Sequence, residues 1–354
     1  MAKRCQKCVL PASAPKINFD ENNICSYCRS HKKFIYKGEK ELLKFLKNIR
    51  KHRKGNYDCV VPISGGRDSM YTLLKIVKDY NMKVLAVNYE NPFTDPIAKK
   101  NIKNAIDILN LDFIGFKLQN KRHEKVFENN LKAWLKNPSP AMLFMICMAC
   151  KDMDWKLLEI ARKNNIHYII SGGNPFEDMS FQKELINRPG NEQINNTIIN
   201  SSFYIFREIL KNPKYLNSVT LQTYVRCIFY TFFYPHMLKM FNIKSVNLFE
   251  FIEWKENNVI SRIKSELNWD YSHELDATWR FDCKIEYLKD FLYQKTIGMT
   301  EKDEFYSRII RERLMSRKEV LDRLKKENNF KLNLIKKFLK ENDLEDINLE
   351  CFLN

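Results

Sequence analysis

The chain has 354 residues, 44% of them hydrophobic, enough for one or two cored domains with helical extensions. Lysine and arginine outnumber aspartate and glutamate 60 to 43, and a net charge of +17 suits anionic partners such as nucleotides, nucleotide-sugars or RNA. A general lysine richness fits equally well, because the lysines are spread along the whole chain. The first residues do not join a basic start to an apolar stretch and a small-residue cleavage site, so a cytoplasmic protein is expected. The most apolar run, Cys227 to Phe241, is broken by Pro235, His236 and Lys239 and falls short of the roughly 20 residues of a membrane span. It reads as a buried or partner-facing helix pair. Ten cysteines in such a protein point to metal or redox chemistry before disulfides.

Residues 1–32 carry Cys5-x-x-Cys8 and Cys25-x-x-Cys28. Two such knuckles across a short segment have the spacing of a tetrahedral four-thiolate Zn²⁺ site, which would supply much of the segment's folding energy. Residues 30–56 are charged and helical in pattern, with Leu42, Leu43, Phe45 and Leu46 as the core face.

The stretch Tyr57 to Leu74 then reads as a short buried strand, a loop of Ser64, Gly65, Gly66, Arg67 and Asp68, and a helix opening at Ser69. Adjacent glycines let backbone approach a ligand closely, and a helix N-terminus aims free N–H groups at it. An anion belongs there. Ser64 and Ser69 add hydroxyls and Arg67 a fixed positive charge, a set better suited to pyrophosphate than to a lone carboxylate.

Beyond the loop, strands at 84–88, 112–117 and 168–170 alternate with helices at 96–110 and 124–136, which predicts a parallel sheet with helices on both faces. In such sheets the ligand sits beyond the carboxyl ends of the strands, so Asn88, Tyr89, Glu90, Ser171, Gly172, Gly173 and Asn174 are candidates. A long helix is expected over Ala141 to Asn164, with Cys147 and Cys150 one turn apart. Sharing a face, both sulfurs can reach one ion or cluster; two core cysteines in a Met-rich helix is the plainer reading. Residues 181–275 read as an aromatic-rich helical insertion that shapes an acceptor pocket or an oligomer contact, and 276–354 as a C-terminal helical region.

The run S-G-G-R-D-S, Ser64 to Ser69, resembles the S-G-G-x-D-S pyrophosphate loop of the PP-loop ATPases, with Arg67 in place of the usual lysine. C-x-x-C-V-x-P, P-x-I-x-F-D and I-C-x-x-C-R in the N-terminal stretch look like the opening of the N-acetyl sugar amidotransferase family, whose members make acetamidino sugars, including pseudaminic and legionaminic acid derivatives, for surface polysaccharides. The ending M-S-R-x-E-x-L-x-R, from Met315, resembles the same family. The resemblance implies an α/β PP-loop fold of the adenine-nucleotide α-hydrolase kind over residues 33–180. ATP with Mg²⁺ would be held by Ser64, Gly65, Gly66, Arg67, Asp68, Ser69, Asn88, Gly172, Gly173 and Asn174, and Ser64, Arg67, Asp68 and Asp178 would be catalytic.

The resemblance further implies cleavage of ATP to AMP and pyrophosphate, with an acceptor oxygen adenylylated and then displaced. With ammonia as the displacing group, the chain would turn an N-acetyl group of a nucleotide-activated or acidic sugar into an acetamidino group, fed by a separate glutaminase subunit. A tRNA-thiolating branch of the same superfamily places C-x-x-C in the slot of Cys147 and Cys150, where with a distant third cysteine it holds an iron–sulfur cluster. That similarity implies the alternative: a sulfurtransferase acting on RNA or a small molecule through a [4Fe-4S] cluster on Cys147, Cys150 and a third cysteine. Cys283, in a polar stretch, is preferred to Cys227, in an apolar aromatic one. A homo-oligomer is compatible with either reading.

Overall fold

The computed structural model describes residues 3–177, 179–186, 194–347 and 349. Its centre is a five-stranded parallel sheet in the order β3-β2-β1-β4-β5. The strands are β1 (Cys59–Pro62), β2 (Val84–Tyr89), β3 (Asp112–Phe116), β4 (Tyr168–Ser171) and β5 (Lys244–Asn247). β1 is central because Cys59-Val60-Val61 is buried on both faces, as a strand between two helical layers must be. Parity divides its side chains: Val60 joins Leu85, Val87 and Ile169 in one apolar cluster, while Cys59 and Val61 join Ala86 and Ile170 in the other.

Helix α1 (Glu39–Lys51) leads into β1 and buries Leu42, Leu46 and Ile49. Helices α2 (Arg67–Leu74) and α3 (Pro96–Leu109) cover the Val61 face through Met70, Leu73, Leu74, Ala98 and Ala105. Helix α4 (Arg122–Lys136) follows β3, and α5 (Asp152–Lys163) packs Leu157, Leu158 and Ala161 on the Val60 face. The helix expected over 141–164 is two elements: a 3-10 stretch, Pro140–Lys151, and then α5. A 3-10 turn eclipses residues i and i+3, so Cys147 and Cys150 still lie on one side.

The stretch read as a helical insertion contains α6 (Ile194–Lys211) and α7 (Ser218–Met240), and it also supplies the fifth strand. β5 pairs along its whole length with β4, from Tyr168↔Lys244 to Ser171↔Asn247. Lys-Ser-Val-Asn is short and mostly polar, tolerable only at an edge, and carries little strand signal. The expected helix pair at 227–241 is instead one helix running through Pro235, and its Phe229, Phe233 and Met240 are exposed rather than buried. No helix among the described residues is long and apolar enough to cross a membrane.

Helices α8 (Glu256–Leu267), α9 (Lys284–Ile297), α10 (Glu301–Arg311), α11 (Arg317–Glu327) and α12 (Leu332–Lys340) complete the chain. Of these, α10 and α11 clasp the N-terminal knuckle. Arg317 donates to the carbonyls of Cys5 and Cys8, Arg4 pairs with Asp303 at 2.6 Å, and Val9 N–H donates to the Ser307 hydroxyl.

Candidate functional site

The Ser64–Ser69 loop is a closed turn at the carboxyl end of β1. Ser64 N–H donates to the Ser69 hydroxyl, which donates in turn to the Gly66 carbonyl, and Gly66 N–H donates to the Ser64 hydroxyl. Gly65 has φ +83, and a Cβ there would stand 2.2 Å from the Ala98 carbonyl oxygen. Only glycine satisfies both demands. Gly66 is the N-cap of α2, so the helix opens two residues before Ser69 and directs the N–H groups of Arg67, Asp68 and Ser69 into the loop.

Arg67 is placed otherwise than the sequence suggests. Its guanidinium is 2% exposed, with Nη1 2.5 Å from Glu256 Oε1 and 3.1 Å from Thr278 Oγ1. It lies over the Trp254 ring at 4.9 Å. A planar, permanently charged fork finds in Glu256 and Trp254 the carboxylate and aromatic face that it favours, so its charge is spent in the core rather than offered outward. Asp68 is tied down as well, accepting from Trp254 Nε1 at 2.9 Å and from Arg67 Nε at 3.3 Å.

The end of β4 closes against this turn. A Cβ on Gly172 would lie 2.6 Å from the Asp68 carbonyl oxygen, and one on Gly173 would lie 2.8 Å from Asn247 Oδ1. Asn174 accepts from Phe176 N–H at 3.0 Å. Three buried groups here find no partner among the described residues: Arg67 Nη2, Thr72 Oγ1 and Asn174 Nδ2. Unsatisfied buried donors beside a helix N-terminus are what an anionic ligand would complete. Asn88 is buried and donates to the Ile63 carbonyl at 2.7 Å, so it braces the end of β1. Asp178 lies outside the described residues.

Two carboxylates join the site without a sequence motif to announce them. Asp282 stands against Gly66, its Cγ 3.2 Å from where a Cβ would be. Burial pushes its carboxyl up, and the Ser64 hydroxyl pulls the other way. Glu177 accepts from Trp279 Nε1 at 2.7 Å, and burial, opposed by Arg280, raises it to about 6. The folded chain therefore holds this proton between pH 4.5 and about 6 while the unfolded chain releases it, so stability falls as pH rises through that window. Glu177→Gln keeps the acceptor and removes the titration. It is expected to unfold about 1–2 kcal/mol harder than the parent at pH 7 and to match it below pH 4.5, as read from paired denaturant midpoints.

Cys147 and Cys150, paired by their spacing, and Cys283, preferred for its polar stretch, lie near enough to influence one another electrostatically. The charges of Cys150 and Cys283 both act on Cys147, and that of Cys283 acts on Cys150, while burial pushes all three thiols up, Cys283 to about 12. Cys283 arrives as the N-cap of α9 because 282–284 pairs antiparallel with the loop after β2: Asp95 N–H donates to the Asp282 carbonyl and Lys284 N–H to that of Phe93. Asn91 Nδ2 lies 3.4 Å from Cys283 Sγ, and His123 Nε2 lies 3.7 Å from Cys150 Sγ. Cys227 instead donates to the Met148 carbonyl at 3.6 Å, and its thiol answers to Asp152 rather than to the other cysteines.

Two cavities open in this part of the fold, and Cys147 lines the smaller. One of about 730 Å³ is lined by Asn88, Tyr89, Lys99, Lys103, Lys121 and His123. Another of about 470 Å³ is lined by Cys147, Cys227, Glu177, Arg280 and Lys289. Arg280, on the wall of the smaller cavity, is paired with Glu301 at 2.5 Å and Glu286 at 3.4 Å.

At the far end of the chain Cys5, Cys8, Cys25 and Cys28 are buried, unbridged and mutually within 4.8 Å at their sulfurs. This is a metal site. The Cys5–Cys28 and Cys8–Cys25 sulfur separations are 3.9 and 3.7 Å. A tetrahedron of ~2.3 Å metal–sulfur bonds has an edge of about 3.8 Å.

No family model matches the chain. Over 174 residues it is 26% identical to an uncharacterised protein of Methanocaldococcus jannaschii, MJ1599; the match takes in 48% of this chain and 58% of that protein, so the chain spans little more than half of this relative. Among solved structures it is similar to the U34-tRNA thiolase NcsA from Methanococcus maripaludis with its [4Fe-4S] cluster, at 16% identity and a TM-score of 0.36 over 99% of this chain and 91% of that one. It is also similar to NMN synthetase from Francisella tularensis, at 13% identity and a TM-score of 0.28 over 56% of this chain and 93% of that one.

Proposed function

We propose that the chain is a PP-loop enzyme that adenylylates an oxygen of its acceptor with ATP, releasing pyrophosphate, and exchanges that oxygen for sulfur, with an iron–sulfur cluster held by Cys147, Cys150 and Cys283. The observation that carries this reading is the junction at Asp282 and Cys283: consecutive residues bring a carboxylate to Gly66 and a sulfur to the Cys147–Cys150 group. One strap thus ties the nucleotide loop to the thiols. The Ser64–Ser69 turn and Asn174 would hold the phosphates, and Asp282 would face the Mg²⁺ that accompanies them. Catalysis would be positioning and electrostatics, the usual division of labour where phosphoryl charge moves. A cluster would supply a site for the incoming sulfur. The thiols would suit one: Cys147, Cys150 and Cys283 are free of disulfides and influence one another electrostatically, and Cys147 lines a cavity of about 470 Å³.

The experiment is iron, labile-sulfide and zinc analysis of anaerobically purified protein, followed by ATP turnover with sulfide or ammonia as nucleophile. Iron and sulfide in the protein, with AMP formed in step with a thiolated product, is the expected result. Zinc alone, with turnover on ammonia, would overturn it. The knuckle is expected to hold about one zinc per chain, and Cys25→Ser to lose it and unfold earlier on heating, because α10 and α11 pack on that segment. Asp282→Asn is expected to raise the KM for MgATP about tenfold while iron content stays unchanged, one charge-assisted contact being worth about 1.5 kcal/mol.

One observation favours the ammonia reading. Arg317, in the M-S-R-x-E run that resembles the sugar amidotransferases, grips the carbonyls of Cys5 and Cys8 in the knuckle that also resembles them. Under that reading a glutaminase partner supplies ammonia and the acceptor is a nucleotide-sugar or acidic sugar; under the first, the acceptor is an RNA or a small molecule.

A further inference from the structure

Helix α7 turns an apolar side outward. The side chains it buries are Thr220, Thr223 and Tyr224, whereas Leu221, Val225, Phe229, Phe232, Phe233 and Met240 are exposed, Val225 by 62% and Met240 by 68%. Their spacing along the helix puts all six on one face, and Phe229 stacks on Phe233 at 4.2 Å. A surface helix ordinarily turns such a stripe inward. Beside Val225 and Phe229 a recess of about 300 Å³ is walled by Trp155 and Tyr230, and the acid on it, Asp152, is held by Arg122 at 2.7 Å and Arg226 at 3.0 Å. The charges on this side of the fold are of one sign. Over 218–240 the chain has no aspartate or glutamate, while Arg226 and Lys239 are exposed and Arg162 lies over the Phe241 ring at 5.2 Å. Helix α6, bonded to α7 from the Tyr224 hydroxyl to the Ser202 carbonyl at 3.1 Å, repeats the pattern. Phe203, Phe206 and Leu210 are exposed beside Arg207 and Lys211, and the acid of that helix, Glu208, is paired with Lys211 at 2.7 Å.

We propose that the exposed face of α7 docks on the surface of a bilayer that carries anionic phospholipids, with the phenylalanines and Met240 entering the headgroup region and Arg226 and Lys239 at the phosphates. The inference stands apart from the ATP chemistry. An aromatic and aliphatic stripe set among cations, without acids, is the composition that an anionic membrane surface takes. Long basic side chains lay their stems along the apolar surface and keep their heads at the phosphates. Docking here is peripheral, since no described helix is long and apolar enough to cross a membrane. Charge argues against a second copy of the chain as the occupant: a two-fold contact would set the same cationic patch against itself in a molecule of net charge +17. Composition argues against RNA. On the outward face of α7 six apolar side chains stand beside two cations, and Leu221, Val225 and Met240 offer no flat ring on which a base could stack.

The test is co-sedimentation of the full chain with vesicles of phosphatidylcholine alone and of phosphatidylcholine mixed with phosphatidylglycerol, with light scattering of the free protein beside it. Binding to the mixed vesicles, absent on phosphatidylcholine and weakened by salt, is the expected result. The double variant Phe229→Ser, Phe233→Ser is expected to bind the mixed vesicles at least about tenfold more weakly, and Lys239→Gln about fivefold more weakly. Ile35→Ser is the control, because Ile35 is 86% exposed and lies outside α6 and α7; its binding should match the parent. All of these side chains are exposed, so the variants are expected to fold, and wild-type binding is read without them. Equal binding to both vesicle types, binding unchanged in the double variant, or no binding at all overturns the inference. A dimer that the double variant makes monomeric, with no vesicle binding, would give the face to a second copy. Binding of a single-stranded RNA oligonucleotide in place of vesicles, lost in the double variant, would give it to RNA.

Discussion

Anaerobically purified Cys283→Ala is expected to lose its iron and labile sulfide, while Cys227→Ala keeps both. The two cysteines differ in neighbours more than in burial. Cys283 caps α9 on the strap beside the loop after β2, where its charge reaches Cys147 and Cys150 and Asn91 supports its sulfur. Cys227 points at the Met148 carbonyl from α7. Loss of a ligand should weaken the centre by more than about 100-fold, since even changes to outer partners of metal ligands cost 10–100-fold. Knuckle zinc should be unchanged in both variants and serves as an internal measure of folding. Equal loss of iron from the two variants would remove the distinction drawn between them, and retention in Cys283→Ala with loss from Cys227→Ala would reverse the assignment.

The second large effect is expected at Gly65. Alanine there must hold φ near +83 and place its Cβ 2.2 Å from the Ala98 carbonyl, at the start of α3. The left-handed conformation costs about 1–2 kcal/mol by itself. The clash cannot be relieved by a rotamer change because the obstacle is backbone. The loop has to shift, and Gly65 also carries a carbonyl that accepts from Asn101 and Trp269. A displacement of about 1 Å in a positioning loop can cost 10²-fold in rate, so ATP–pyrophosphate exchange should fall by about that factor. Gly298→Ala is the control: its φ is +67, but a Cβ there meets nothing closer than Ser13 Oγ at 3.4 Å. It should lose about 1 kcal/mol of stability and keep its exchange rate. Equal loss of exchange in both variants would mean that Gly65 matters only to folding.

The site was legible where chemistry and spacing coincide locally. Cys5-x-x-Cys8 with Cys25-x-x-Cys28, and the serines and glycines of 64–69, occupy single turns whose geometry follows from a few adjacent residues. Cys147 and Cys150 share a side in an α-helix and in the 3-10 stretch alike, so the wrong helix type did no harm to the pairing. Arg67 was misjudged because its partners, Glu256, Thr278 and Trp254, lie about two hundred residues away, and no local pattern shows that a loop arginine will turn inward. Asp282, Glu177 and His123 were missed for the same reason: each is an ordinary residue in its own stretch, and each acquires its setting from Gly66, Trp279 or Cys150 across the fold.

Strand and helix alternation, a glycine turn after the first strand and a four-thiolate knuckle were determined by the sequence by itself, because hydrophobic period, glycine conformational freedom and ligand spacing act over a few residues. The tertiary structure alone decided that the polar segment 244–247 closes the sheet, that Arg67 spends its charge on Glu256, and that one strap carries Asp282 to the Ser64–Ser69 turn and brings Cys283 within electrostatic reach of Cys150. Those outcomes depend on which distant groups meet once water is excluded, and buried charge and unpaired backbone make that choice costly to leave unsatisfied.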